Sequence, residues 1–238
     1  MRFFHILGFL AFCSVTFSSQ AQIVGSNQFP NTYRMPGGYA FIEPNTDPSL
    51  KSVTEPRSVQ GSPFLFEEAV PSKIIFTDSD EESIDLELNY NAYADFMKIK
   101  DEATTSSDIE LLPRGWNYDI LMGERRFRFI NFTHNKSEVN THVEIVETFD
   151  DGSFLAIQWS KVIQEIFPGK DRYVSSQRYY LINTDGRALQ LKNDNTIIDA
   201  LPKADQDKIK EYITNNNIRF TKDLRGLKGV AKYYVSLN

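Results

Sequence analysis

The chain of 238 residues carries 26 lysines and arginines against 32 aspartates and glutamates, which gives a formal net charge of −6. This acidic balance argues against sequence-independent nucleic-acid binding, which depends on clustered cations that displace counterions. The single cysteine, Cys13, lies in an N-terminal apolar segment. We therefore expect no disulfide, cysteine nucleophile or thiolate metal site in the rest of the chain.

Residues 1–21 predict a secretory signal peptide. Arg2 supplies a positive start, Ile6 begins an apolar run of twelve residues, and Ser-Gln-Ala at 19–21 places small residues before a cleavage site at Gln22. The apolar run is too short, and has the wrong flanks, for a membrane-spanning helix. We expect a periplasmic or secreted product without a transmembrane span.

Residues 22–60 are rich in proline, asparagine and serine, and six of the ten prolines lie between residues 30 and 63. Proline lacks the N–H group that a strand ladder needs, and the residue before it avoids the helical region. The composition therefore predicts a poorly ordered leader ahead of the folded domain.

Residues 61–192 have the pattern of antiparallel strands. Ile84, Leu86, Leu88 and Tyr90 alternate with polar residues, which is typical of a half-buried strand. Asp-Gly turns within 150–152 and 183–186 predict two hairpins, because such turns tolerate positive backbone dihedrals. The expected pairs are 143–149 with 154–159, and 178–182 with 188–192.

A basic cluster within these strands has the spacing of a sheet and not of a nucleic-acid site. Arg125, Arg126 and Arg128 are interleaved with Phe127 and Phe129. Alternation with period two predicts a strand with one face in the core and one face in water.

Residues 193–238 change to helical spacing. Ile209, Tyr212 and Ile213 form one apolar stripe, and Thr221 is a candidate cap for a second helix, with Asp223 in its first turn. Short amphipathic helices need a surface to pack on. The predicted fold class is α+β: a single domain over 61–238, with an antiparallel β-rich part (61–192) and two C-terminal helices (193–238) on the sheet.

Two segments resemble a group of small exported proteins of Bacteroidota-type bacteria. They are Gly-Ser-Pro-Phe-Leu-Phe-Glu-Glu at 61–68 and Leu-Asn-Tyr-Asn-Ala-Tyr-Ala-Asp-Phe-Met at 88–97. The closing helical segment is also similar, so the resemblance covers about residues 61–238. It implies an extracytoplasmic compartment and a one-domain architecture, and it assigns no activity, ligand or catalytic residue.

Histidine is scarce, which limits acid–base chemistry. Only His134 and His142 lie beyond the predicted signal peptide, and their polar neighbours predict that both face solvent. The chain has no Gly-x-Ser-x-Gly turn for a serine nucleophile. A zinc site using both histidines with Glu144 or Glu147 would match no known spacing. We assign no catalytic residue.

One acidic segment has the spacing of a calcium loop. Asp78, Asp80 and Glu82 alternate, but Ser83 and Leu88 stand where such a loop needs glycine and glutamate. The alternatives are weak calcium binding, with no other cofactor expected, or a solvated turn between strands.

The abundant aromatic residues can be interpreted either as core packing or as a ligand-binding surface. Aromatic side chains fill sheet interiors, and they also grip sugars or peptides when exposed. The candidates for ligand binding are Tyr90, Tyr93, Phe96, Trp116 and Tyr118.

These observations favour an exported cell-envelope protein that acts as a non-enzymatic binding or structural module, with an envelope protein or glycan as its partner. The alternative is an extracytoplasmic hydrolase that acts on glycan or peptide through a carboxylate pair. A binding module should expose an apolar patch, a hydrolase should have a pocket with a perturbed carboxylate or histidine, and a structural component should leave a strand edge open.

Overall fold

The computed structural model describes residues 59–77, 83–100, 111–115, 117–168 and 170–237, together with two short strands nearer the N-terminus. These are β1 (Thr32–Arg34) and β2 (Ala40–Ile42), which pair antiparallel. The predicted signal peptide at 1–21 lies outside the described residues. The predicted leader at 22–60 is described only at β1, β2 and residues 59–60.

An eleven-stranded sheet contains the remaining strands. In chain order they are β3 (Val59–Gln60), β4 (Val70–Phe76), β5 (Ile84–Asn91), β6 (Phe96–Ile99), β7 (Leu111–Leu112), β8 (Tyr118–Met122), β9 (Arg125–His134), β10 (Ser137–Thr148), β11 (Phe154–Phe167), β12 (Lys170–Ile182) and β13 (Ala188–Leu191). Their spatial order is β13-β12-β11-β10-β9-β8-β4-β5-β6-β7. These neighbours pair antiparallel, and β3 pairs parallel with β12.

Both predicted hairpins are confirmed. Gly152 and Gly186 occupy their turns with φ of 84° and 73°, a conformation that side chains other than glycine rarely adopt. The sequence pattern ended the first hairpin at Trp159, but β11 continues to Phe167 and pairs with β12 over its whole length. A long ribbon therefore extends from the sheet.

The middle strands bury side chains on both faces. In β9, Phe127 and Phe129 lie on one face, whereas Ile130 and Phe132 lie on the other, because successive side chains alternate across a strand. The sequence predicted that the face with Arg126 and Arg128 is in water. This holds only at the start of β9, where Arg126 is partly exposed.

Three apolar clusters follow from this arrangement. The first packs inside the curved part of the sheet that strands β4–β9 form, and it includes Ile74, Leu88, Met97, Ile120 and Phe127. The second lies on the opposite face of β9–β12 and includes Ile130, Phe132, Val143, Ala156, Tyr180 and Ile182. The third lies between β11–β13 and the helices and includes Leu155, Leu181, Ile209, Leu227 and Val230.

The C-terminal part confirms the two predicted helices and the α+β class. A 3-10 helix (Asn195–Ala200) precedes α1 (Lys203–Asn215) and α2 (Arg225–Val235). The predicted Thr221 cap is wrong, because Leu224 is the N-cap of α2, with a φ of 61°. None of the described helices is long and apolar enough to cross a membrane.

Gly226 allows α2 to approach the loop that precedes it. A Cβ at this position would lie 2.3 Å from the backbone oxygen of Arg219. Gly226→Ala should therefore lower the free energy of unfolding by about 1–2 kcal/mol, measured by urea denaturation. Gly229→Ala is the control, since its nearest neighbours lie at 3.8 and 3.9 Å and alanine favours a helix. Equal stabilities of the two variants would contradict this close approach.

Candidate functional site

A fork in the sheet organises the polar groups of the domain. Strands β10 and β11 pair between Glu144 and Thr148 on β10 and between Phe154 and Ile157 on β11. The preceding half of β10 pairs with β9, whereas the following half of β11 pairs with β12. The two strands therefore diverge from Glu144 and Ile157 and leave two facing backbone edges.

The turn at 92–95, between β5 and β6, bonds to both edges of this fork. Its Ala92 carbonyl oxygen accepts a hydrogen bond from the Lys161 N–H on β11 at 2.9 Å. Its Asp95 Oδ1 accepts one from the His142 N–H on β10 at 3.1 Å. Asp95 adopts a left-handed φ of 55° that turns the chain into β6. The turn thus accepts hydrogen bonds from backbone N–H groups of β10 and β11 that have no partner on the opposite strand, because the two strands have diverged here.

Asp95 is the centre of a polar network in the fork. Its Oδ1 also accepts the Tyr90 hydroxyl proton at 2.8 Å and lies 3.0 Å from His142 Nδ1. Arg114 donates to the Asp95 backbone oxygen at 2.7 Å, and its guanidinium lies 4.0 Å from Oδ2. The His142 ring packs edge-on against Tyr90 and Phe129, with centroid distances of 5.7 and 5.1 Å.

The protonation states of this network follow from burial and hydrogen bonding. Burial alone would raise the pKa of Asp95, but the hydrogen bonds and charge of His142 outweigh it, so this pKa lies below its ordinary value. Burial, together with the neighbouring Asp95 carboxylate, raises the pKa of Tyr90 well above its ordinary value. Asp95 is therefore a carboxylate acceptor and Tyr90 a neutral donor near neutral pH.

The expectation that both histidines face solvent is wrong for His142. Its side chain is 1% exposed, because His142 shares the inner face of the sheet with Phe129 across β9 and β10. Its Nε2 is buried and has no hydrogen-bond partner among the described residues. His134 is half-buried, and its Nδ1 lies 3.2 Å from the Ala188 oxygen. Sequence spacing gave no signal for the His142–Asp95 pair, since 47 positions separate the two residues.

A second charged cluster lies at the base of the fork. Glu144 accepts a hydrogen bond from Trp159 Nε1 at 2.7 Å and one from the Arg125 guanidinium. The same guanidinium lies over three rings: that of Trp159 at 4.5 Å and those of Phe66 and Phe127, each at 5.3 Å. The cation is thereby held by aromatic faces and one carboxylate.

A third cluster lies on the opposite face of the sheet. Asp119 is buried on β8 and accepts hydrogen bonds from Arg126 Nε at 2.7 Å and from Arg128 Nε at 2.5 Å. The Arg128 Nε bond goes to Oδ1 and the Arg126 Nε bond to Oδ2. Arg128 Nη2 also donates to Oδ2, at 3.0 Å, as does Arg126 Nη2. Both oxygens of this carboxylate are therefore occupied.

Two open clefts lie away from these clusters. One, of about 370 Å³, is lined by Asp151, Ser153, Arg187 and Tyr234 between the hairpin turns and α2. The other, of about 380 Å³, lies beside Glu67, Glu68, Lys98 and Lys100. Neither cleft is lined by Asp95, Asp119, Glu144 or His142.

Beyond the fork, β11 and β12 form a two-stranded extension that we call the distal ribbon, residues 161–168 and 170–175. Among the described strands, only β3 adds to it, opposite Asp171 and Arg172. Three of the five large exposed apolar side chains of the described residues lie on it: Val162 (50% exposed), Ile166 (39%) and Phe167 (65%). At its base, the Tyr173 ring packs against Tyr93 at 5.5 Å.

The predicted ligand-binding aromatics do not all reach the surface. Tyr90, Phe96 and Tyr118 are buried, as expected if they pack in the core. Tyr93 is 42% exposed and lies beside the distal ribbon. Trp116 lies outside the described residues. The Pro-Gly pair at 168–169, between Phe167 and Lys170, is a turn signal that could have indicated a hairpin here, although not the length of its strands.

The calcium candidates Asp78, Asp80 and Glu82 also lie outside the described residues, so weak calcium binding stays a prediction. Within the described ranges, no group of three or more histidine, cysteine, aspartate or glutamate side chains is placed to hold a metal ion.

The fork and the distal ribbon therefore have to be interpreted from their own chemistry. No family model matches this sequence, and no curated protein and no solved structure matches it either.

Proposed function

We propose that this protein is exported to the cell envelope and acts there by binding, with the distal ribbon as its contact surface. The observation that carries the proposal is the concentration of exposed apolar side chains on one extension. Val162, Ile166 and Phe167 lie on it, and the partly exposed Tyr93 packs at its base. Clustered apolar exposure is typical of an interaction site, whereas single exposed residues are ordinary.

The surroundings of the three hydrogen-bonded carboxylates Asp95, Asp119 and Glu144 favour binding over catalysis. A catalytic carboxylate must have an oxygen that a substrate can reach. Asp119 has both oxygens occupied by arginines. Glu144, whose Oε2 binds Arg125 and Trp159, and Asp95, whose Oδ1 binds Tyr90 and His142, line neither of the two open clefts. His142 is paired with a carboxylate, as a catalytic base would be, but no serine or threonine hydroxyl of the described residues bonds to its Nε2.

The polar network of the fork has a mechanical role in this proposal. Lys161 begins the distal ribbon, and its N–H is bonded to the turn that carries Asp95. Tyr93 of the same turn packs against Tyr173. The turn therefore fixes the base of the ribbon relative to the core, so that the apolar tip is presented in one orientation.

Export rests on residues 1–21 and is tested separately from binding. The pattern of Arg2, the apolar run and the small residues at 19–21 predicts cleavage before Gln22. Fractionation of cells that express the full chain should recover the protein outside the cytoplasm, and N-terminal sequencing should begin at Gln22. An uncleaved cytoplasmic product would contradict the export half of the proposal.

Binding through the ribbon is tested with washed envelope fractions and purified protein. The double variant Ile166→Ser with Phe167→Ser should reduce co-sedimentation with envelopes at least about tenfold, because each buried apolar side chain contributes roughly 1.5–3 kcal/mol at a contact. Ile75→Ser is the matched control, since Ile75 is 41% exposed on β4, outside the ribbon. Equal loss in both variants, or loss in neither, would contradict the assignment of the ribbon.

A further inference from the structure

We propose that the distal ribbon docks on a lipid surface that carries anionic headgroups. This inference rests on the proposed binding function and specifies its partner. The residues from 161 to 167 extend about 20 Å past the fork at roughly 3.3 Å per residue. The most exposed apolar side chain, Phe167, lies at the far end of this extension.

The register of the ribbon places cations beside its apolar side chains. Phe167 is the cross-strand partner of Lys170, and Gln164 is the partner of Arg172. Val162 pairs with Val174 in the same ladder. Directly paired residues point to the same side of a sheet. An apolar ring and an ammonium group are thus presented together, as interfacial segments present them to acyl chains and headgroups.

The charge of the ribbon is opposite to that of the whole chain. It carries three cations, Lys161, Lys170 and Arg172, and two carboxylates, Glu165 and Asp171, whereas the whole chain has a net charge of −6. A local cation excess on an acidic protein favours attraction to an anionic surface at that end of the molecule.

The exposed apolar area fits a lipid surface better than a second protein. The three exposed side chains present on the order of 300 Å², whereas a stable protein interface buries about 800 Å² of total surface on each partner, somewhat more than half of it apolar. A tip that enters the headgroup region by about 5–10 Å needs no such area, because lipids adapt to its shape.

The test uses the full purified chain and two vesicle types, phosphatidylcholine alone and a mixture of phosphatidylethanolamine with phosphatidylglycerol. Binding to the anionic vesicles should be at least about tenfold tighter and should weaken with salt. The Ile166→Ser with Phe167→Ser variant should lose at least about tenfold on the anionic vesicles. Lys170→Glu with Arg172→Glu should lose a similar factor, whereas Lys208→Glu with Lys210→Glu on α1 makes the same net-charge change elsewhere and should bind like wild type.

A fluorescent residue at the tip separates insertion from simple adsorption. Phe167→Trp should show a blue-shifted emission with anionic vesicles and quenching by brominated acyl chains, whereas Ile75→Trp should show neither change. Envelope binding that requires the ribbon, without binding to protein-free vesicles, would overturn the lipid surface as partner while the proposed binding function stands. A dimer that requires the ribbon in sedimentation equilibrium would likewise assign the surface to a second copy of this chain.

Discussion

Replacing Asp119 with alanine should lower the free energy of unfolding by about 3 kcal/mol, the lower end of the range for removing one partner of a buried ion pair. The carboxylate is buried on β8 and accepts hydrogen bonds from both Arg126 and Arg128 on β9. Its removal leaves two guanidinium groups side by side without an acceptor. The value lies at the lower end because the Arg126 side chain is almost half exposed and can turn towards water.

Replacing either arginine alone should lower the free energy of unfolding less than Asp119→Ala does. The ranking of the two arginine variants tests the geometry of the cluster. Arg126→Ala should lower the free energy of unfolding by less than about 1 kcal/mol, as expected for an ion-pair partner that is almost half exposed. Arg128→Ala should cost more, because Arg128 is the less exposed of the two and bonds to both oxygens of Asp119. In either variant the carboxylate keeps one partner, so neither should reach the cost of Asp119→Ala.

Urea denaturation measures these differences in the free energy of unfolding, provided that the dependence of this free energy on urea concentration has the same slope in all variants. Asp85→Ala is the control, because Asp85 is exposed and its pairing with Lys73 spans 3.9 Å. It should match wild type within error. An Asp119→Ala variant as stable as wild type, or an Arg126→Ala variant that costs as much as Asp119→Ala, would show that the cluster is not held by this carboxylate.

Asp95→Ala should also cost about 3 kcal/mol at pH 7, because it removes the acceptor of three donors in the fork. These donors are the Tyr90 hydroxyl, the His142 ring and the His142 backbone N–H. Asp95→Asn should cost less, since its carbonyl oxygen can replace Oδ1 and only the negative charge is lost. The difference between the two variants measures the hydrogen bonds, and the cost of Asp95→Asn measures the charge.

The cost of Asp95→Asn should depend on pH with a definite sign. The pKa of Asp95 is lowered in the folded protein, whereas an unfolded aspartate titrates near about 3.9. The stabilisation from this charge is therefore complete above the unfolded value and is lost as pH falls through the folded value. The stability difference between wild type and Asp95→Asn should therefore be smaller at pH 3 than at pH 5.

Urea titrations at pH 7, 5, 4 and 3 give this difference. Asp185→Asn is the matched control, because Asp185 is exposed in a hairpin turn and asparagine also suits that turn. Its stability difference from wild type should show no such trend. If the cost of Asp95→Asn stays the same down to pH 3, the charge of Asp95 contributes nothing to the fork.

Local patterns predicted the elements that depend on neighbouring residues. The turns that contain Gly152 and Gly186 have a chemical signature within four residues, and the Ile209 stripe repeats with helical period, so hairpins and helices could be assigned from sequence. The extent of β11 could not, because residues 160–166 mix charged and apolar side chains according to their exposure on the ribbon. The strand is held there by its pairing with β12, which alternation alone does not report.

The fork could not be predicted for a related reason. His142 has polar sequence neighbours, but its environment comes from Phe129 across the sheet and from Asp95 on a distant turn. Its burial follows from the curl of the sheet, a tertiary property that no window of sequence contains. The buried and exposed aromatic candidates could not be told apart for the same reason, since Tyr90 on β5 and Tyr93 on the following turn are three residues apart and yet only Tyr93 is exposed.

The two-sided burial of β9 has a consequence for how the molecule can be divided. Phe127 belongs to the cluster of the N-terminal strands, and Phe132, five positions later, belongs to the cluster of the C-terminal strands. A break in the chain anywhere around this strand would strip apolar side chains from both halves at once. We therefore expect that neither half folds when it is expressed alone, and that unfolding of one half destabilises the other.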